Sequence, residues 1–309
     1  VVVFRNPQSN ANNYIKRLIG LPGETIEIVH GDVFVVPPGQ DQNNAEIRRK
    51  PDRAQEVMWQ IISDNDYQTD LAKLKADDAN IDQPRRWVPH ETQSSLWEKS
   101  SNGRTFTFKG SDERSHLIFK GVQEVVGYVN PEDPDRAKAD AEYKSMLEAF
   151  VPRYGYNSSQ GETQHLSETV DLCSDLKVSM VVKPGRDKAS AECMLDGIWF
   201  SIKAVIDTDG GVTVFRRPRE LSGQAETAPA KTDADGWEAW ATAKISPMSP
   251  GVGRKVEMAH VDHSVKIWVD GKKVIDKNYS ITMKRLKDRL AVAGERPLPR
   301  PGSRIGARG

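Results

Sequence analysis

The chain has 309 residues, with 44 Lys+Arg balanced by 44 Asp+Glu, and 37% of its residues are hydrophobic against 28% charged. A zero formal charge argues against a general nucleic-acid binder, which carries a basic excess, and no apolar run approaches the ~18–20 residues of a membrane-spanning helix. Two cysteines, Cys173 and Cys193, exclude a disulfide-stapled mini-fold and a four-cysteine zinc site. Val1–Phe4 reads as a strand, followed by a polar loop, Arg5–Asn12, that contains Pro7. Tyr14–Ile19 reads as a second strand, stopped by Gly20-Leu21-Pro22-Gly23. Thr25–Val29 and Val33–Val36 flank His30-Gly31-Asp32 as a short hairpin. Beyond Lys50, Pro51 opens an amphipathic helix to Ile62, because Ala54, Val57, Met58, Ile61 and Ile62 keep helical spacing.

From Trp87 onward the reading is mostly β, interrupted by a charged helical stretch at Pro134–Phe150. Segments 173–182, 190–195, 199–206 and 212–215 are separated by Pro184-Gly185, Asp196-Gly197 and Asp209-Gly210-Gly211, which are turn signals. Leu221–Asp235 is an Ala/Thr/Pro/Gly-rich loop. Val265–Val269 and Lys272–Ile275 around Asp270-Gly271 form the clearest hairpin. Its alternation requires Val265, Ile267 and Val269 on the buried side and Trp268 on the other. Short strands at this spacing predict a sandwich or jelly roll.

Taken alone, Lys16 is a lysine on the polar face of a strand, and solvent exposure is the expected state. The surrounding string changes that reading. Val1-Val2-Val3-Phe4-Arg5, then Tyr14-Ile15-Lys16-Arg17-Leu18-Ile19-Gly20-Leu21-Pro22-Gly23, then Glu24–Ile28 resembles the lysine-bearing box of bacterial type I signal peptidases. Glu24 stands where that family usually has Asp. The resemblance implies a serine endopeptidase with a Ser/Lys dyad in which Lys16 is the general base. Lysine's ordinary pKa of ~10.4 makes it a base near neutrality only when burial disfavours its charge, so Lys16 is expected to pack among Tyr14, Ile15 and further apolar neighbours. The resemblance also implies that Asn13, Tyr14 and Ile15 lie along an edge where extended substrate adds as a strand. It implies in addition that Arg17 pairs with a late acidic residue.

The family's Ser-x-Met-x-Pro-Thr nucleophile box and its late G-D-N-x-x-x-S-x-D-S-R box have no counterpart in these residues, and Ser9 is a poor substitute. The chain, opening on Val1 inside a strand, is read as an excerpt that holds the base without the nucleophile and is inactive alone. Arg48–Pro51, Ser63–Tyr67, Tyr154–Asn157, Val261-Asp262 with Ile267–Gly271, and Arg304–Gly309 look like the insert of an unusually large signal peptidase subgroup. That insert resembles a laminin-G or concanavalin-like jelly roll.

The expected fold is therefore mainly β: a partial signal-peptidase β fold at 1–50, a helical connector at 51–86, and a jelly-roll β-sandwich insert at 87–309 whose C-terminal strands are incomplete, with a few helices. The expected partners are signal peptides of exported preproteins and the cytoplasmic membrane, reached through a missing N-terminal segment, with no nucleic acid and no cofactor. The intact enzyme would sit in the inner membrane with its catalytic domain on the periplasmic face. The alternative is a non-catalytic glycan- or protein-binding jelly roll with a degenerate peptidase portion.

Weaker signals have plainer readings. His260-x-x-His263 with Asp262 offers zinc donor types but lacks a third clear ligand, and reads as surface polar residues ahead of a hairpin. Asp207–Gly211 lacks the spacing of a calcium loop and reads as a hairpin turn. Cys173 and Cys193 are a disulfide or buried free thiols. Trp199, Trp237, Trp240 and Trp268 are a sugar-stacking platform or, as the preferred reading, core. Lys284–Arg289 reads as a solvated surface.

Overall fold

The computed structural model describes residues 1–29, 31–67, 87–119, 175–219, 233, 235–293 and 302–308. The predicted helix Pro134–Phe150, the Tyr154–Asn157 string and Cys173 lie outside them, as does most of the Leu221–Asp235 loop. The first strands are β1 (Val2–Asn6), β2 (Ser9–Lys16), β3 (Thr25–Val29), β4 (Asp32–Val36) and β5 (Glu46–Ile47), and helix α1 follows at Asp52–Met58. Next come β6 (Trp87–Pro89), β7 (Trp97–Lys99), β8 (Phe106–Phe108), β9 (Ser115–Phe119), β10 (Leu176–Val182), β11 (Ser190–Asp196), β12 (Phe200–Asp207), β13 (Gly211–Pro218) and β14 (Glu238–Lys244). The chain continues through β15 (Arg254–Val261), β16 (Ser264–Val269), β17 (Lys272–Asn278), helix α2 (Met283–Ala293) and β18 (Gly302–Arg308).

The fold is mainly β. A seven-stranded sheet of order β14-β13-β12-β11-β18-β9-β6 faces a four-stranded sheet of order β10-β15-β16-β17 in a jelly-roll-like sandwich, with every pairing antiparallel. Period-two alternation builds the core between them. Cys193 and Leu195 of β11, Ile202, Ala204 and Ile206 of β12, and Val212 and Val214 of β13 point inward. They share one cluster with Val256 and Met258 of β15 and with Val265, Ile267 and Ile275 of β16 and β17. The predicted hairpin is present as β16–β17, with Val265, Ile267 and Val269 buried. Trp268 lies on the opposite side under the Lys177 ammonium, 5.2 Å from its ring centre. Asp270 and Gly271 take φ of 49° and 77°, the left-handed pair of a two-residue hairpin turn.

Helix α2 turns Met283 and Leu286 into the core, while Lys284, Arg285 and Lys287 are exposed as expected of that basic run. Trp199 and Trp237 are buried and Trp240 packs against the core, the preferred reading for these aromatics. Asp207–Gly211 is the β12–β13 turn. Cys193 is a free, buried thiol pushed up to about 12 by burial.

Three expectations change. The predicted Arg5–Asn12 loop is instead a tight hairpin: Pro7-Gln8 turns, the Asn6 carbonyl side chain accepts from the Gln8 amide at 2.9 Å, and the ladder runs on through β2. Pro7 suits such a turn because its φ is preset and it needs no backbone partner. The strand unit of the first fifty residues does not stand apart as a whole. Phe34 (1% exposed), Val36 and Ala45 join the sandwich core, so β3-β4-β5 docks on it while β1-β2 remains a separate ribbon.

Helix α1 stops at Met58, short of the predicted Ile62, and is turned over. Its buried residue is Gln55, whereas Val57 is 78% and Ile61 84% exposed. The cause is the surface it meets: charged Asp262 and Lys266 bind the polar side of the helix.

Candidate functional site

The residues singled out in the sequence lie together on the β1–β2 ribbon. The register sets Val2 against Lys16, Val3 against Ile15, Phe4 against Tyr14 and Arg5 against Asn13. Tyr14 and Lys16 therefore share a face, with the Lys16 ammonium 5.5 Å from the Tyr14 ring centre, while Asn13 and Ile15 share the other. Tyr14 meets Phe4 edge-on, and its hydroxyl accepts from the Asn6 side-chain amide at 3.0 Å. Arg17 follows immediately after the strand.

The expected burial of Lys16 is absent among the described residues. Lys16 is exposed, as are Tyr14 and Ile15, because a two-stranded ribbon has no second layer to exclude water. Leu18, Ile19 and Leu21 extend this apolar, uncovered surface.

The turn beyond it is tightly built. A Cβ on Gly20 would come within 2.7 Å of Ile26, and Gly23 has φ of 83°. Glu24 accepts from the Leu21 amide at 2.7 Å and pairs with Arg48 at 2.7 Å. The one departure from the family string thus ties the turn to the strap that leads into α1.

Sequence reasoning missed a second constellation, where that strap meets the sandwich. Asp32 at the start of β4, Asp175 just before β10 and Asp262 in the β15–β16 turn bring carboxylate oxygens within 4.8 Å of one another. Lys50 binds Asp262 through both its backbone amide and its ammonium, and lies 3.6 Å from Asp175. This donor set suits a hard cation, and the positive charge among it is the chain's own ammonium. Arg49 donates to the carbonyls of Asp262 and Tyr279 at 3.1 and 2.7 Å, and Gln55 bridges the Lys50 carbonyl, Asp262 and Lys266.

The reading of His260, Asp262 and His263 as surface residues is corrected here. They are 1%, 1% and 3% exposed. Tyr279 stacks on both imidazoles, at 5.8 Å from His260 and 4.9 Å from His263, and its hydroxyl meets His260 Nε2 at 2.7 Å. Asp262 and His263 form a left-handed turn pair, φ 48° and 55°, covered by Lys50, Arg49 and Asp32. No local signal could have shown this, because much of the cover over Asp262 and His263 comes from residues more than two hundred positions away.

The electrostatics follow from the burial. Burial works against the Lys50 charge, but Asp175, Asp262 and Asp32 outweigh it and raise its pKa. Burial pushes Asp175 up to about 7, with Asp32 and Asp262 adding to the effect and Lys50 opposing it. Another charged cluster lies on the outer face of β11, where burial of Glu192 is outweighed by His116, Arg114 and Lys203, so its pKa falls. Its carboxylate oxygens are fully enclosed.

No curated protein matches the chain. Among solved structures, the carbohydrate-binding module CBM66 from Bacillus subtilis is 12% identical, covering 69% of this chain and 86% of its own, with a TM-score of 0.32. Sheep galectin-11, in complex with glycerol, is also 12% identical, covering 44% and 83%, with a TM-score of 0.25. Scores this low carry no argument about ligand or function. The family model described as signal peptidase, peptidase S26, matches residues 1–107, and this supports kinship of that part of the chain with signal peptidases.

Proposed function

We propose that the intact protein is a membrane-bound signal peptidase in which Lys16 is the general base, and that the jelly-roll sandwich is the insert of a large subgroup. The observation that carries this reading is the family match over residues 1–107 together with the Tyr14–Gly23 string inside it. In this reading the nucleophilic serine comes from a segment outside these 309 residues. Lys16 takes the serine proton as the hydroxyl attacks the scissile carbonyl and returns it to the leaving amine. Asn13, Tyr14 and Ile15 guide the extended signal peptide, and Arg17 meets an acidic residue of the completed domain. The base must be desolvated to work. Further strands added to the open edges of the β1–β2 ribbon would supply that cover. Cleavage then takes place on the periplasmic face of the inner membrane.

The test is cleavage of a preprotein by the assembled enzyme. Lys16→Ala should lower turnover of the assembled enzyme roughly 10²–10⁴-fold, the range of a lost general base, and in the 309-residue chain, where the side chain is exposed, it should leave the unfolding temperature unchanged. Lys16→Arg should be as inactive, since guanidinium stays protonated. Near-normal turnover in either variant refutes the assignment. The 309-residue chain by itself should cleave nothing, and serine-directed acylating reagents should leave its mass unchanged. A second reading, a glycan- or protein-binding sandwich with a degenerate peptidase portion, draws on the exposure of Lys16. Full turnover by the assembled wild type removes it.

A further inference from the structure

Lys50 and Asp262 are 212 positions apart in the chain and meet where the strap enters α1. Their contact is more ordered than an ion pair requires. The Lys50 ammonium lies on Asp262 Oδ1. The other oxygen, Oδ2, accepts from the Lys50 backbone amide at 2.8 Å and from the Gln55 side-chain amide at 3.0 Å. The two oxygens therefore face different chemistry. One meets an amine, and the other sits between two neutral N–H donors, an arrangement that stabilises negative charge developing on a carbonyl oxygen. A second carboxylate stands beside them: the Asp262 backbone amide donates to Asp175 Oδ1 at 3.2 Å, and Asp175 Oδ2 lies 3.6 Å from Lys50 Nζ. The strap is pinned next to this contact, because Arg49 donates to the carbonyls of Asp262 and Tyr279. The Asp262 side chain is 2% exposed, so bulk water does not compete for its carboxyl carbon.

We propose that Lys50 and Asp262 join covalently, through an isopeptide bond from Lys50 Nζ to Asp262 Cγ that staples the strap to the sandwich. The Nζ lone pair attacks Cγ and forms the C–N bond, while charge collects on Oδ2 between its two donors. The C–Oδ1 bond then breaks, and its electron pair leaves with Oδ1. Two of the three ammonium protons pass to that oxygen by way of the Asp175 carboxylate, and one water departs. The third proton stays on the amide nitrogen. An ammonium and a carboxylate thus become a neutral amide and water, with no net proton taken up and no further reactant needed. Holding the two groups in contact replaces a bimolecular encounter, and well-oriented cases reach effective concentrations of roughly 10⁵–10⁸ M. The product also removes two charges from a place where desolvating each of them is costly.

Mass spectrometry of the folded full chain, denatured just before measurement and mapped with trypsin, tests this. The wild type should weigh one water less than its sequence requires. Trypsin should release a branched peptide that joins residues 50–53 to residues 256–266, which are bounded by Arg49, Arg53, Lys255 and Lys266. Lys50→Arg cannot form the amide and should show the full mass. Asp175→Asn keeps the shape but cannot relay protons, so the bond should form roughly 10²–10⁴-fold more slowly, the range of a lost acid–base group. The full wild-type mass, with peptides 50–53 and 256–266 recovered separately, overturns the proposal whether or not the variants fold. A loss of water that persists in Lys50→Arg also overturns it, since the dehydration then lies at an aspartyl-glycine succinimide. Bond formation at the wild-type rate in Asp175→Asn overturns the relay.

Discussion

The β1–β2 ribbon and the β3–β5 sheet are neighbours in sequence, and both lie in the stretch that matches signal peptidases, yet they are held in opposite ways. On the ribbon, Val3 is 63%, Phe4 42% and Ile15 68% exposed, and the strands pair with each other alone among the described residues. On the sheet, Phe34 is 1% and Val36 3% exposed, and Asp32 reaches into a polar joint with the sandwich. Hydrophobic residues at strand spacing are common to both, so pattern alone does not determine burial. What differs is whether a second layer is present to take the apolar face. The ribbon that carries Lys16 has its geometry but not its environment.

The largest expected effect separates the two regions directly. Phe34→Ala should cost about 3–5 kcal/mol, the range for removing a fully buried aromatic ring. Because Phe34 belongs to the sandwich core, the loss should appear in the main unfolding transition. Phe4→Ala removes a ring that is partly in water and meets Tyr14 edge-on, and it should cost less than about 1 kcal/mol. Urea unfolding of both variants checks the contrast. Similar losses would show that the ribbon is as deeply anchored as the sheet.

Much of the sandwich was legible in the sequence because its signals are local. Asp270-Gly271 between alternating strands fixed the β16–β17 register, and Asp209-Gly210-Gly211 marked the β12–β13 turn. The lysine box was legible as a string, and the register now places Tyr14 and Lys16 on one face of the ribbon. The acidic joint was not legible. Asp32, Lys50, Asp175 and Asp262 are isolated polar residues in sequence, and only tertiary folding brings them together. Helix α1 misled for a related reason: its apolar spacing is real, but a buried Lys266 and Asp262 select the polar side.

That inversion supplies the next effect in size. Gln55 is 5% exposed; its amide nitrogen serves the Lys50 carbonyl and Asp262 at 2.9 and 3.0 Å, and its oxygen accepts from Lys266 at 2.8 Å. Gln55→Ala leaves those groups short of partners in a buried place and should cost about 1–3 kcal/mol. Gln55→Leu restores most of the volume without the hydrogen bonds and should be no better. Recovery of stability in the Leu variant would show that packing, and not polar satisfaction, holds the helix down.

The smallest effect is expected on the other side of the same helix, at Val57, and just beyond its end, at Ile61. Val57 and Ile61 are apolar, but 78% and 84% of their surface is already in water, so Ser at either position forfeits little burial. Val and Ser also differ little in helix propensity, so the backbone of α1 should not register the Val57 change. Val57→Ser and Ile61→Ser should each alter unfolding free energy by no more than about 0.5 kcal/mol. A fall above about 1 kcal/mol in either variant would mean that this face is covered in solution, and that the contrast between buried Gln55 and exposed Val57 does not describe the folded chain. The same pair measured in the assembled enzyme sharpens the comparison. A cost that arises only there would identify this face, like the Lys16 ribbon, as surface that further strands of the intact protein enclose.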